Sequence, residues 1–206
     1  AVPKHKGTEN LRNDIKRRIS KYKSLVEREK KLSKSGGRGL SIKKDGAARI
    51  ILIGITNSGK STLLKNITNA KPEIAEYDFT TKKPEIGTLD YDGIILQVIE
   101  IPAITKNYLE KEKGPAYMGI VRDSDLIVIV SRDKKDVDLV KKELDDAGIK
   151  FNGIVLNSED VKAKEKIWKK LRLVYVYTKS PGKDKDYPPI ALRKKSNVRD
   201  LASKVH

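Results

Sequence analysis

The sequence contains no cysteine, only two histidines and one tryptophan, and no long apolar run. The lack of cysteine excludes a disulfide framework, a thiolate metal site and a cysteine nucleophile. No segment resembles a signal peptide, and no apolar run approaches the roughly 20 residues that cross a bilayer. We therefore expect a cytoplasmic protein that has no membrane partner.

Positive charge is abundant, since 45 Lys and Arg residues oppose 28 Asp and Glu residues and give a formal net charge of +17. Such an excess favours polyanionic partners such as RNA or a ribosomal surface. A heavily solvated surface is the other interpretation of the same composition. The length of 206 residues suits one main domain with appendages.

A basic amphipathic segment lies near the start of the chain. Between residues 8 and 32, apolar side chains recur at steps of three and four among many Lys and Arg residues, which predicts a helix or a helical hairpin. We predict a basic helical arm at residues 1–34. The run Ser35-Gly36-Gly37-Arg38-Gly39 predicts a hinge at residues 35–48. The arm packs on the main domain, binds RNA or a partner, or does both.

The next segment alternates predicted strands with predicted helices. The strands are residues 49–53, 86–91, 94–101, 125–130, 153–156 and 173–177, and the helices are residues 60–67, 136–147 and 163–171. Asp92-Gly93 between the second and third strands indicates a hairpin. This order predicts a mostly parallel sheet with helices on both faces. A linker follows from residue 180, and the last residues predict a strand, a turn and the start of a helix.

One loop matches the phosphate-binding signature of nucleotide-binding proteins. Gly54-Ile55-Thr56-Asn57-Ser58-Gly59-Lys60-Ser61 lies between a predicted buried strand and a predicted helix, which is the setting that the signature requires. We expect Lys60 to reach the β- and γ-phosphates and the Ser61 hydroxyl to hold Mg²⁺. The remaining predicted phosphate-binding residues are Asn57, Ser58, Gly59 and Thr62. The fold class is therefore predicted as an α/β P-loop NTPase.

The signature alone does not separate ATP from GTP. Asn157-Ser158-Glu159-Asp160 follows the predicted strand 153–156, at the carboxyl end where ligands bind in such sheets. An Asp160 carboxylate there can accept two hydrogen bonds from guanine that adenine cannot offer, although the tetrapeptide also suits an ordinary turn. Asp78-Phe79-Thr80-Thr81 places Thr81 in a polar loop, where it can complete the Mg²⁺ shell and sense the γ-phosphate.

Several segments together carry a family resemblance. They are Lys6-Gly7-Thr8-Glu9, the Gly-rich hinge, and residues 54–62, 77–81, 84–87, 174–179 and 186–187. They resemble the DRG proteins of archaeal type, the developmentally regulated GTP-binding branch of the Obg-HflX translation-factor GTPases. Residues 191–206 resemble the opening of a TGS domain, a small β-grasp module that contacts RNA or partners, and we expect this module to be truncated.

The resemblance implies a Mg²⁺-dependent GTPase that binds GTP and GDP and acts in or near translation. RNA or the ribosome and a protein regulatory partner are the partners it implies. It gives Thr81 and Glu100 catalytic roles, Asn157 and Asp160 a role in guanine binding, and Asn57 a role in K⁺ stimulation. In that family a hydrophobic residue replaces the glutamine that orients the attacking water, and here that residue corresponds to Ile104.

The chain also departs from the family pattern. Glu100-Ile101-Pro102-Ala103 stands where the family has Asp-x-Pro-Gly, and Ser158 replaces the lysine of the guanine motif. Only seven residues separate Asp160 from Trp168, where the family has a helix, a strand and a further loop of the guanine pocket. We therefore expect a shortened G domain at residues 49–179, followed by a linker and partial TGS-like segment at 180–206.

Three functional hypotheses follow. The first is a GTP-binding protein with slow, Mg²⁺-dependent and K⁺-stimulated GTP hydrolysis. The second is a hydrolysis-deficient, nucleotide-gated module that binds RNA or the ribosome. The third is an ATP-dependent P-loop enzyme.

Overall fold

The fold is described by a computed structural model for residues 9–34, 42–68, 73–74 and 83–205. Its helices are α1 (Glu9–Lys34), α2 (Lys60–Ile67), α3 (Gly114–Arg122), α4 (Lys134–Asp146), α5 (Ala163–Leu171) and α6 (Val198–Val205). Its strands are β1 (Arg49–Ile53), β2 (Glu73–Ile74), β3 (Glu85–Tyr91), β4 (Ile94–Glu100), β5 (Leu126–Val130), β6 (Ile154–Leu156), β7 (Leu173–Val176) and β8 (Ile190–Arg193).

The main sheet has the strand order β2-β3-β4-β1-β5-β6. Strands β4, β1, β5 and β6 are parallel to one another, and β3 pairs antiparallel with β4. All five residues of β1 and all five of β5 are buried, as expected for central strands covered on both faces. The predicted α/β fold with a mostly parallel sheet is confirmed.

Helices cover both faces of this sheet because successive side chains of β1 point to opposite sides. Ile51 and Ile53 pack in one apolar cluster with residues of α3 and α4, whereas Ile50 and Leu52 pack in another with residues of α2 and α5. Each of the four isoleucine and leucine side chains is fully buried. Burial of this kind contributes about 1.5–3 kcal/mol per side chain.

The predicted hairpin between β3 and β4 is present. Asp92 and Gly93 have φ values of 51° and 85°, the left-handed pair that a tight two-residue hairpin requires. The Gly93 N–H donates to Asp90 Oδ1 at 2.8 Å. Tyr91 pairs with Ile94 directly across the turn, and this register pairs Glu100 at the end of β4 with Glu85 at the start of β3.

Helix α3 is absent from the elements predicted from the sequence. It begins with Gly114 and Pro115 and also contains Gly119, residues that interrupt an apolar repeat in so short a helix. Pro115 is nevertheless suited to a first helical turn, where its missing N–H is not needed. The predicted helix 136–147 begins two residues earlier, because Asp133 caps it by accepting from the Lys135 N–H at 2.9 Å.

Residues 9–34 of the predicted basic arm form one continuous helix, α1. Leu11, Ile19 and Val26 on its apolar stripe remain about half exposed, at 52%, 49% and 48%. The Tyr22 hydroxyl donates to the Asp146 carbonyl at the end of α4 at 2.6 Å. The glycine run of the predicted hinge lies outside the described residues. Within the described ranges, no helix is long and apolar enough to span a bilayer.

A second, two-stranded sheet follows the main sheet. Strands β7 and β8 pair antiparallel, and α6 comes after them, so the strand, turn and helix predicted near the end of the chain are present. Trp168 of α5 stacks between Tyr91 of β3 and Tyr175 of β7, with ring centroids 4.9 and 4.7 Å apart. This aromatic stack joins the second sheet to the first.

Candidate nucleotide-binding site

The predicted phosphate loop follows the carboxyl end of β1 and leads into α2. Asn57 and Gly59 adopt left-handed backbone conformations, with φ values of 59° and 90°, and turn the chain sharply. A Cβ atom on Gly54 would lie 2.5 Å from Ser58 Oγ and 2.6 Å from the Val130 carbonyl oxygen. The loop is therefore so closely wrapped that only glycine fits at residue 54.

Lys60 lies at the start of α2 and is only 6% exposed. Its Nζ donates to the Ile55 carbonyl oxygen at 2.8 Å, which holds the ammonium group against the loop. A buried ammonium beside the N-terminus of a helix attracts phosphate through both its own charge and the helix dipole. Thr62 follows in the same turn of α2 and is exposed.

Ser61 and Glu100 lie together although 39 residues separate them in the sequence. The pairing of β1 with β4 explains this, because Leu52 lies beside Glu100 and the chain continues from β1 through the phosphate loop to Ser61 in α2. The Ser61 hydroxyl donates to Glu100 Oε1 at 2.9 Å. Burial raises the pKa of Glu100 above its ordinary value, because it outweighs the Ser61 hydrogen bond and the charge of Lys60, which act in the opposite direction.

These two residues fit a Mg²⁺ ion. Glu100 Oε2 is buried and has no hydrogen-bond partner among the described residues, and it lies on the same carboxylate that Ser61 contacts. Hydroxyl and carboxylate oxygens are hard ligands, and Mg²⁺ in nucleotide sites uses one or two of them together with phosphate oxygens. The described residues contain no cluster of three or more His, Cys, Asp or Glu side chains that could hold a metal ion.

The segment after β4 is tied to the phosphate loop by its backbone. The Ile104 N–H donates to the Gly54 carbonyl oxygen at 2.9 Å. The Ile104 side chain is 1% exposed and packs in the apolar cluster on the α3 and α4 side of the sheet. Ile104 is thus a core side chain. Thr81, the other predicted catalytic residue and Mg²⁺ ligand, lies outside the described residues.

The predicted guanine motif contacts the phosphate loop. Ser158 is 6% exposed, and a Cβ atom placed on Gly59 would lie 2.5 Å from Ser158 Cβ. Asn66 Nδ2 of α2 donates to the Ser158 carbonyl oxygen at 3.3 Å. Asn157 Oδ1 accepts from the Glu159 N–H at 3.2 Å. The structure therefore brings the two predicted binding segments together, with the small Ser158 side chain at their contact.

Asp160 is fixed by neighbours on both of its carboxylate oxygens. Oδ1 accepts from the Lys162 N–H at 3.0 Å, and Oδ2 forms an ion pair with Lys166 Nζ at 2.5 Å. The Lys166 hydrogen bond is the main reason why the pKa of Asp160 lies below its ordinary value. An ionised carboxylate can accept hydrogen bonds from a guanine base, and here each of its two oxygens already accepts one within the protein.

Arg132 is a site residue that the sequence analysis did not identify. It follows β5, and its Nε donates to Asn157 Oδ1 at 3.2 Å. Its terminal nitrogen also forms an ion pair with Glu159. Arg132 therefore joins the loop after β5 to the predicted guanine motif after β6. Its place two residues after a buried strand was the available signal, since ligands bind at the carboxyl ends of such strands.

The main sheet ends on the side of the site where the guanine motif lies. Among the described residues, β6 pairs only with β5 and forms an edge of the main sheet. Val155 on this edge is 44% exposed. Helix α5 begins at Ala163, directly after the guanine motif, and the chain then forms β7 in the second sheet.

Known proteins match this chain across the same region. The sequence pattern of the 50S ribosome-binding GTPase family matches residues 49–159. Developmentally-regulated GTP-binding protein 2 of Bos taurus is 31% identical over 153 residues, and GTP-binding protein 1 of Schizosaccharomyces pombe is 34% identical over 155 residues. Both alignments cover 72% of this chain but only 42% of the relative, so the chain spans about two fifths of the length of these relatives.

A solved structure with a similar chain path is the G domain of the T. maritima FeoB iron transporter. It aligns with a TM-score of 0.47 and 18% identity over 60% of this chain and 96% of that chain. The sequence match over residues 49–159 spans the phosphate loop, Glu100 and the first three residues of the guanine motif, and covers more than half of the chain. The chain therefore belongs to the 50S ribosome-binding GTPase family.

Proposed function

We propose that this chain binds guanine nucleotide and Mg²⁺ in the loop formed by residues 54–61 and hydrolyses GTP slowly. The observation that carries the proposal is the arrangement at the start of α2, where Lys60 is buried against the loop and the Ser61 hydroxyl contacts Glu100. The phosphates of a bound nucleotide would then lie beside the Lys60 ammonium group and two hard oxygen ligands, at one end of the sheet. This is the combination that phosphoryl transfer uses.

Each residue has a distinct proposed role. The loop N–H groups and Lys60 bind and orient the phosphates, and Ser61, Glu100 and Thr81 hold Mg²⁺. When bound, Mg²⁺ neutralises charge on the phosphate oxygens. Asn57 is proposed to take part in the stimulation of GTP hydrolysis by K⁺. The contribution of these residues is mainly positioning and charge neutralisation, because little covalent chemistry falls to the protein in such reactions.

Guanine selection is proposed to rest on Asn157 and Asp160. The support is their position beside the phosphate loop, together with the ionised state of Asp160. Arg132 assists by holding Asn157 Oδ1 in place. Because Lys166 occupies Asp160 Oδ2, we expect discrimination between GTP and ATP, but less of it than an unencumbered carboxylate would give.

The biological setting is proposed from the relatives. One relative is named as a developmentally-regulated GTP-binding protein and another as a GTP-binding protein. The matching family is described as ribosome-binding. We infer a cytoplasmic DRG-type protein of the Obg-HflX group, of archaeal type, that acts in or near translation. RNA or the ribosome, a protein regulator and a TGS-like segment in the last residues belong to the same proposal.

A second candidate function is nucleotide binding without turnover. The observation that favours it is the segment after β4, where Glu100-Ile101-Pro102-Ala103 replaces the Asp-x-Pro-Gly of the family. Ala103 adds a methyl group where the family has the glycine pivot. On this hypothesis the chain is a nucleotide-gated RNA- or ribosome-binding module in which hydrolysis has been lost.

Single-turnover cleavage of [γ-³²P]GTP in K⁺ and Mg²⁺ separates the two candidates. Slow hydrolysis predicts a wild-type rate at least about 10-fold above that of Lys60→Ala, because each 1.4 kcal/mol of lost charge stabilisation is a factor of ten. Glu100→Gln, which keeps the shape of the side chain but removes its charge, should also lower the rate. Equal rates for wild type and Lys60→Ala would remove the enzymatic claim.

GDP titration of the same samples distinguishes loss of binding from loss of chemistry. If the wild type binds GDP but does not cleave GTP, the second candidate is supported. In that case the double substitution Glu100→Asp and Ala103→Gly should restore cleavage, because it returns the family carboxylate and pivot.

A further inference from the structure

A cavity of about 740 Å³ lies between the main sheet and the second sheet. Residues that precede β1 and β5 form one wall, and the end of α5, the end of β8 and part of α6 form the others. Seven cationic side chains and a single carboxylate line it. This excess of positive charge in a concave surface concentrates anions near the protein.

The cavity is separate from the nucleotide site. Ala47 and Ala48 in its wall lie before the first residue of β1, whereas the phosphate loop follows the last residue. A five-residue strand spans about 17 Å. The two sites therefore lie at opposite ends of the parallel strands, and a phosphate bound in one does not contact the other.

Several cations of the cavity are available to a ligand. Arg172, Lys194 and Lys195 make no side-chain hydrogen bond or ion pair within the part of the chain that the structure describes, and all three are exposed. The Lys194 N–H donates to the Arg172 carbonyl at 2.9 Å, which holds the end of α5 next to the end of β8. The second sheet thus gathers charges that are distant in the sequence.

The one carboxylate of the lining does not neutralise these cations. Asp125 is shared between Lys44 Nζ at 2.5 Å and an Arg193 nitrogen at 3.4 Å, and it also accepts from the Arg49 N–H. It is 17% exposed. Its charge is therefore used within the protein. Of the other lining cations, Lys170 donates to Asn152 Oδ1 and Lys204 to the Ala191 carbonyl oxygen, and none forms an ion pair with a carboxylate among the described residues.

The lining indicates which anion fits. No aromatic side chain is among the lining residues, so the described cavity offers no platform for stacked bases. Five of its seven cations are lysines, flexible point charges that suit phosphates without fixed geometry. Backbone contacts of this kind bind nucleic acid without reading its sequence.

From this arrangement we propose that the cavity binds the phosphate backbone of structured RNA. The inference deepens the proposed function, because it gives the RNA or ribosome partner a site, and it places that site at the end of the sheet away from the nucleotide. The basic arm α1 then contributes less to RNA affinity than the cavity does.

The test is fluorescence anisotropy of a short fluorescein-labelled RNA duplex with the whole chain, at about 50 to 200 mM salt. The cavity variant is Lys194→Ala with Lys195→Ala. Its matched control is Lys142→Ala with Lys150→Ala, which removes the same charge from exposed positions on α4 and the loop after it. An arm variant, Lys16→Ala with Arg17→Ala, measures the contribution of α1.

The cavity variant should weaken RNA binding by at least about 10-fold near 100 mM salt and reduce the salt slope by about two. The control should change affinity by less than about two-fold, and GDP titration should be the same for all variants. Equal weakening by the control, or weakening by the arm variant alone, would overturn the proposal. So would displacement of the RNA by polyglutamate at equal charge concentration.

RNA binding tests the cavity proposal and GDP binding tests the nucleotide proposal, so each proposal can fail without the other. A chain that binds GDP but not RNA contradicts the cavity proposal and leaves the nucleotide proposal intact. A chain that binds RNA through the cavity but does not bind GDP contradicts the nucleotide proposal and leaves the cavity proposal intact.

Discussion

At the scale of single residues, the site depends on backbone positions that only glycine occupies without strain. Gly59 has a φ of 90°, and a Cβ atom added to it would lie 2.5 Å from Ser158 Cβ and 2.7 Å from Ser158 Oγ. The same atom would therefore disturb both the phosphate loop and the guanine motif. Gly148, after α4, has a φ of 69° but no atom within 4 Å of such a Cβ.

We predict that Gly59→Ala weakens GDP binding by at least about 10-fold, because the clash displaces the phosphate loop from Ser158. Gly148→Ala carries a similar backbone penalty, about 1–2 kcal/mol of stability, without the clash. Isothermal titration with GDP and urea unfolding of both variants measure the two effects. Unchanged GDP affinity in Gly59→Ala would show that the close contact does not matter.

The positions of the phosphate-loop residues were predictable because the signature relates them to one another by spacing. Lys60, Ser61 and the glycines lie where the signature places them. The contact between Ser61 and Glu100 was not predicted, because it depends on the pairing of β1 with β4. Likewise, the Lys166 ion pair with Asp160 and the Arg132 contact with Asn157 depend on side chains from separate elements, and no local spacing predicts them.

At the scale of elements, the aromatic stack fixes how the second sheet lies on the first. Trp168 is held between Tyr91 and Tyr175, with interplanar angles of 14° and 24°. The Tyr175 hydroxyl also donates to Asp92 in the hairpin turn at 2.9 Å. Stacked rings contribute beyond the area they bury, so α5 serves as the link between the two sheets.

Trp168→Ala should lower the free energy of unfolding by about 2–4 kcal/mol, because it removes two stacked contacts and leaves a gap between the sheets. Trp168→Phe keeps one ring in the stack and should cost about 1 kcal/mol. Urea denaturation followed by circular dichroism measures both. Equal losses for alanine and phenylalanine would mean that ring stacking does not hold this junction.

The elements themselves were largely predictable. Central strands such as β1 and β5 are continuous β-branched runs, and Asp92-Gly93 specifies the hairpin turn. Helix α3 was missed because Gly114, Pro115 and Gly119 obscure its short repeat, and it is stabilised by burial of Met118 and Val121 rather than by propensity. The pairing of β7 with β8 joins segments whose partner the local sequence does not indicate.

At the scale of the whole molecule, Asp125 connects three parts of the chain. It accepts from the Arg49 N–H at 2.8 Å and pairs with Lys44 and Arg193. Burial alone would raise the pKa of Asp125, but the hydrogen bonds from Lys44 and Arg49 and the nearby charges hold it below its ordinary value. The stabilisation is present above the ordinary aspartate pKa of about 3.9 and is lost as the pH falls through the lower value in the folded state.

Asp125→Asn should therefore reduce the stability of the chain at neutral pH, by about 1–2 kcal/mol. The difference between wild type and variant should shrink as the pH is lowered from about 5 toward 2. Urea unfolding across this pH range measures it. A difference that stays constant with pH would show that the charge of Asp125 is not what stabilises the junction.

The central claim is that the loop of residues 54–61 and the Asn157 and Asp160 pair hold guanine nucleotide, and calorimetric titration with GDP and ADP tests it most directly. In Mg²⁺, GDP should bind at one site at least about 10-fold more tightly than ADP, a difference of about 1.4 kcal/mol. Lys60→Ala should abolish the binding, and Asp160→Ala should reduce the preference for GDP. Equal affinities for GDP and ADP, or GDP binding that survives Lys60→Ala unchanged, would contradict the account.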